Sequence, residues 1–145
     1  MSSSLIVGLD GHSSGERALV YAKRLAGLIG ECSIEVVYVI EWSPYTFHTP
    51  EENESRHKRR EEEIQTAMSR IIDPAVEALK KEGFSANGRV RHGDAAEILN
   101  TAAVEENADQ IIVARSSEGG FAQRLFGSVT ANLVMHASVP VTVVG

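Results

Sequence analysis

Leu5-Ile6-Val7-Gly8-Leu9, followed at once by Asp10-Gly11-His12-Ser13-Ser14-Gly15-Glu16, decides the fold. Five apolar residues in a row cannot present a wet face, so the run reads as a short strand covered on both sides. Asp10-Gly11-His12 breaks it. Ser13 and Glu16 then stand at capping-box spacing: the hydroxyl can take a free helix amide while the carboxylate reaches back. Ala18, Leu19, Ala22, Leu25, Ala26 and Ile29 recur on one helical face, and Gly30 is a natural stop. A doubly covered strand running into an amphipathic helix opens a parallel strand–helix–strand unit.

The alternation repeats outward. Ile34 to Ile40 is a second buried strand, and Glu41 to Pro50, with Trp42, Pro44, Tyr45 and Phe47, reads as a loop. Glu51 to Glu63 is a charge run that predicts a solvated helix face. Glu52 and Arg56, Glu54 and Lys58, Lys58 and Glu62, and Arg59 and Glu63 are each four apart and able to pair. Ile64, Ala67, Met68, Ile71, Ile72, Ala75, Ala78 and Leu79 extend it as an apolar stripe that ends at Gly83. Pro74 either kinks this helix or opens a new one capped by Asp73. Phe84, Ala86, Gly88 and Val90 alternate with Ser85, Asn87, Arg89 and Arg91, which marks a strand at a sheet edge, guarded by its charges. Asp94 and Glu97 repeat the capping spacing before a helix face of Ala95, Ile98, Leu99 and Ala102. Ile111 to Ala114 is another buried strand, and Arg115 to Phe126 a polar loop. Gly127-Ser128 opens a last helix with Val129, Leu133 and Ala137 inward, and Val139 to Val144 is the final strand. The expected fold class is α/β, a doubly wound five-stranded parallel sheet with helices on both faces, in one domain over residues 1–145.

Composition narrows the function. The 145 residues are 43% hydrophobic and 23% charged, as in ordinary globular proteins, so disorder is excluded as the main state. A net charge of −6 argues against a general nucleic-acid partner, which calls for a basic face. Apolar runs fall far short of the ~20 residues that span a bilayer, and the first residues lack the basic flank of a signal peptide. Cys32 is the single cysteine, so no internal disulfide forms, and a cytoplasmic location is expected.

In an open parallel sheet, ligands bind beyond the C-terminal strand ends, where the winding reverses. If the first strand is central, Asp10 to Ser14, Val39 to Glu41 and Ala114 to Ser128 meet there. Gly127-Ser128-Val129-Thr130 is the stronger anion candidate: a glycine allows close approach, free amides point outward, and two hydroxyls lie in the first turn. On this feature alone Ser128 serves equally as a helix cap. The P-loop, dinucleotide and nucleophile-elbow motifs are missing. His12, His48, His57, His92 and His136 form no metal pair at helical spacing, and only His12 falls near the predicted site. Cys32 reads as an inert near-core thiol.

Taken together, these segments resemble the universal stress protein family over essentially the whole chain. The likeness is carried by Leu5 to Gly11 with Ser13-Ser14, by Val36 to Ile40, and by His92-Gly93-Asp94-Ala95-Ala96-Glu97-Ile98-Leu99. Its most specific parts are Ala108 to Val113 and Phe126 to Thr130 running through Ala137 to Val141. The resemblance implies an adenine nucleotide alpha hydrolase-like sheet of order 3-2-1-4-5. It also implies an adenine nucleotide cofactor, ATP or AMP, with Mg accompanying ATP. Asp10 would contact ribose or a phosphate-bound metal, and Val39 would bond adenine through its backbone. Arg115, Ser117, Gly127, Ser128, Val129 and Thr130 would surround the phosphates. The family's ATP-binding members carry Gly-x-x-Gly, nine residues, then Gly-Ser or Gly-Thr. Here the first two glycines are Ala114 and Ser117, while Gly127-Ser128 is intact. That departure supports an alternative, a nucleotide-free dimeric interaction module of the same fold. The resemblance implies a stress-response or signalling role, and since no pair of titratable groups is placed for acid–base work, at most weak ATP hydrolysis is expected. In this strand order Val139, Val141, Val143 and Val144 form an apolar edge without a guarding charge, which predicts a homodimer through the C-terminal strand. The family's members commonly dimerise in this way. Any downstream protein partner is not legible.

Overall fold

A computed structural model describes residues 2–10, 13–41, 50–115 and 127–145. Strand β1 (Ser3–Leu9) leads into helix α1 (Ser13–Ile29), then β2 (Cys32–Glu41). Helix α2 (Pro50–Ala67) passes through a π-helical turn (Met68–Ile72) into α3 (Asp73–Lys81). Then come β3 (Ser85–Gly93), α4 (Ala95–Glu105), β4 (Gln110–Ala114), α5 (Gly127–His136) and β5 (Val141–Val144). The five strands form one sheet of order β3-β2-β1-β4-β5, and every pairing is parallel.

Strand alternation builds two cores. On one face Leu5, Val7, Ile34 and Val36 pack against Ala18, Ala22 and Ala26 of α1 and against Ile72 and Leu79. On the other, Ile6, Val37, Ile111 and Val113 pack against Ala96, Leu99, Ala102 and Ala103 of α4 and Leu133 of α5. Alanine every fourth residue lets α1 lie low on the strands; Leu19 and Leu25 fill its flanks, while Ile29 is exposed. Gly30 and Gly83 stop their helices with φ of +101° and +92°, a region glycine enters without steric cost. Asp94 caps α4, its carboxylate accepting from the Glu97 amide.

Pro74 falls in the first turn of a new helix, α3, as one of the two expectations has it, but Asp73 does not cap that helix through its side chain. The π turn precedes it, with the Asp73 amide bonding the Met68 carbonyl. Proline has no N–H and its ring crowds the preceding turn, and the wider turn absorbs both. The added residue also shifts the helix phase. Ala67 and Ile72 face the core as expected, but beyond the turn Val76 packs inward and Ala78 is exposed.

Strand β3 is the predicted edge, yet Arg89 does not stand out in solvent as a guard. It folds over the sheet to Glu35, with Nε–Oε1 at 2.8 Å, and to Glu105 and Glu106 at 3.0 and 3.1 Å. Opposite it, Gly88 seats the helix: a Cβ there would stand 2.3 Å from Ile72 Cγ2. The last strand begins two residues later than expected, after Pro140, whose carbonyl accepts from the Ile111 amide. Strand β5 lies at the far edge with all four residues half-buried.

Candidate functional site

Register alone opens the site. Strand β1 pairs with β4 only from Leu5–Gln110 to Val7–Ile112; beyond that, Val113 and Ala114 pair with β5 alone. On the other side β2 outruns β1, which ends opposite Tyr38, so Val39, Ile40 and Glu41 pair only with β3. A crevice therefore begins between β1 and β4 at their C-terminal ends, with α1 above one face and α4 above the other. This is the point where the winding reverses.

Asp10 follows β1 directly and is exposed, and its carboxylate accepts the hydroxyl of Ser14, which is buried. Gly15 lets the helix start approach this closely, since a Cβ there would lie 3.3 Å from Asp10 Oδ1. One turn on, Arg17 Nη2 donates to the main-chain carbonyl of Arg115, the first residue beyond β4. The Arg17 Nε is buried without a hydrogen-bond partner among the described residues. Arg115 itself is exposed; its amide donates to the Val144 carbonyl, and its guanidinium leans toward Gly145.

The other predicted residues divide. Val39 is half-buried and packs toward the α4–α5 side. Its neighbours Tyr38 and Ile40 floor a groove of about 500 Å³ walled by Ala67, Ile71, Arg59 and Arg70 of the long helix. Gly127 and Ser128 begin α5 as expected. Val129 is half-buried against the core on the α4–α5 side and Thr130 is buried, so neither side chain stands open at the helix start. Ser117 and His12 lie outside the described residues.

No group of three histidine, cysteine or acidic side chains among the described residues could hold a metal ion by itself. Asp10 fits magnesium only as one carboxylate acting beside phosphate oxygens, the usual arrangement for that ion. His57 pairs with Glu61 on the helix surface, and His136 lies in the last turn of α5. His92 Nε2 sits 3.3 Å from the Arg60 carbonyl. Burial, reinforced by the Asp109 charge, pushes the Cys32 thiol up from its ordinary value, in keeping with an inert near-core residue.

Sequence reasoning passed over Arg17. The signal was present: Asp10, Ser14 and Arg17 are spaced four and three, which sets them on one side of the helix start. Glu35 was equally hidden, a lone acid inside an apolar run.

A five-stranded parallel sheet of order β3-β2-β1-β4-β5, whose winding reverses between β1 and β4, defines a doubly wound α/β protein. Residues 1–145 match the universal stress protein family, and the chain belongs to that family. No match was found among the curated proteins. Among solved structures, the hypothetical protein MJ0577 is similar at 22% identity and TM-score 0.81, covering 99% of this chain and 96% of its own. A universal stress family protein from Burkholderia pseudomallei is 28% identical with TM-score 0.69, covering 98% and 95%. A universal stress protein solved in complex with cAMP is 21% identical with TM-score 0.69, covering 99% and 97%. Others of this fold were solved with dAMP, from Archaeoglobus fulgidus, and with AMP, from Arabidopsis thaliana. No helix among the described residues is long and apolar enough to cross a membrane.

Proposed function

We propose that this chain binds an adenine nucleotide, ATP or AMP, in the crevice between β1 and β4, and that it serves a cytoplasmic stress-response or signalling role. The observation that carries the reading is the parting of β1 and β4 beyond Val7–Ile112, which leaves Asp10 and Arg115 at its two lips. Family members solved with cAMP, dAMP and AMP support the ligand class. In this reading the base lies at the end of β2, bonded by the Val39 main chain. Asp10 takes the ribose hydroxyls, or holds Mg²⁺ with the phosphates of ATP. Arg115, Ser117 and the α5 start at Gly127, Ser128, Val129 and Thr130 meet the phosphates. The chain acts as one domain and a homodimer, its β5 strands pairing antiparallel across a two-fold axis. The half-buried Val141, Val143 and Val144 on an edge strand support that arrangement.

Calorimetry with ATP, ADP and AMP tests the ligand. Binding heat, matched by a rise in melting temperature with ligand concentration, is expected. Absence of both at millimolar nucleotide returns the chain to the alternative of a nucleotide-free interaction module. The replacement of two motif glycines by Ala114 and Ser117 is the observation that favours that alternative.

A further inference from the structure

The Arg17 side chain spans the parting of β1 and β4. Arg17 stands on α1, on the β1 side, and its Nη2 reaches the carbonyl of Arg115 on the β4 side. A guanidinium has five N–H donors in a rigid planar fork and carries its charge at any working pH. Its bond goes to a neutral carbonyl, which leaves that charge uncompensated among the described residues. No carboxylate among the described residues pairs with it, and its Nε is buried with no partner there. Buried polar atoms are nearly always bonded, so a donor beside the crevice that no described residue meets is open to a ligand.

We propose that Arg17 is the cation that receives the phosphate end of the ligand. The proposal rests on the adenine-nucleotide reading and deepens it. Asp10 is exposed and offers its carboxylate, which Ser14 holds from behind, to one part of the crevice, and Arg17, one turn beyond Ser14, offers donors to another. Acceptor oxygens suit ribose hydroxyls or a cation; a fork of donors suits phosphate. A phosphate brings its own negative charge and can take the planar fork through two parallel bonds, neither of which the neutral Arg115 carbonyl offers, so a phosphate oxygen outcompetes it for the donors. Arg115, which the nucleotide reading also places at the phosphates, rests its guanidinium toward Gly145, so Arg17 is the donor already at the parting.

The full chain is titrated calorimetrically with ATP, adenosine and inorganic tripolyphosphate, as wild type, Arg17→Gln and Arg17→Lys. Arg17→Gln is expected to weaken ATP and tripolyphosphate about tenfold or more, with adenosine changed by less than about twofold. Arg17→Lys should recover part of the loss, since it restores charge without the fork. An equal loss for ATP and adenosine would make Arg17 only a strut for the chain beyond β4 and overturn the proposal, as would no loss at all. Should Arg17→Gln lack a melting transition, Arg17→Lys decides alone: weaker ATP with unchanged adenosine upholds the role, and unchanged ATP ends it. If the wild type binds neither ATP nor adenosine, the nucleotide reading fails separately. Tripolyphosphate then decides Arg17: binding that Arg17→Gln abolishes upholds it, and absence of binding overturns it.

Discussion

Arg89 on β3 and Arg17 on α1 carry the same group into opposite circumstances. The Arg89 side chain is 14% exposed and engages three carboxylates, those of Glu35, Glu105 and Glu106. Burial by itself would lower its pKa, but the hydrogen bonds and charges of Glu35 and Glu105 outweigh burial and push it up. It also sits beside the C-terminal end of α4, where a cation complements the helix dipole. Arg17 has one neutral carbonyl and an orphan Nε among the described residues. The region around β2 and β3 is closed by its own chain, while the parting of β1 and β4 leaves donors unused. An arginine satisfied from within holds structure; one with spare donors in a crevice is available to an anion from outside.

The largest expected effect separates the two directly. Arg89→Met leaves Glu35, only 6% exposed, without its counter-charge, and breaking a buried pair in this way costs about 3 kcal/mol. Urea unfolding should show that loss, whereas Arg17→Gln, measured alongside, should stay within about 1 kcal/mol of wild type. Equal losses would erase the distinction between the regions. Next in size is Gly88→Ala in the closed region. Its Cβ would meet Ile72 Cγ2 at 2.3 Å and the Val36 carbonyl at 3.2 Å, and Ile72 is fully buried and β-branched, so it cannot swing aside. Overpacking of this kind costs about 2 kcal/mol, read as a lower unfolding midpoint; an unchanged midpoint would mean the helix seat is slack. The smallest effect belongs to the crevice. Gly15→Ala places a Cβ 3.0 Å from Leu9 Cδ2, the far end of a flexible side chain, and 3.3 Å from an Asp10 oxygen. Alanine is the better helix former by about 1 kcal/mol, which offsets the crowding, so stability should move by less than about 1 kcal/mol. A loss as large as that of Gly88→Ala would show the crevice to be packed as tightly as the β2–β3 region.

Much of this architecture was readable because its signals are local. The β1 run is apolar throughout because both faces are covered, and α1 carries its alanines on one side for the same reason. Asp94 and Glu97 announced the cap that the structure shows. The phase of the long helix was not readable in full, because the π turn before Pro74 inserts a residue that a constant 3.6 period does not count, and Val76 replaces Ala78 against the core. Arg89 looked like an edge guard because alternation shows which face a side chain takes but not how far it folds back or what it meets there. Of the candidate site, Asp10, Arg115 and the α5 start fall at the C-terminal end of the sheet, as topology requires, while Ser117 lies outside the described residues.

By itself, the amino-acid sequence determined the class of fold and the family. Each follows from short-range pattern and from the handedness that parallel crossovers obey. Only the tertiary structure decided which charges are satisfied. Glu35 and Arg89 are 54 residues apart and Arg17 and Arg115 are 98 apart, and no sequence period links either pair. Whether a guanidinium is neutralised depends on which acceptors the folded chain brings within about 3 Å, a distance that exists only once the sheet has set its register.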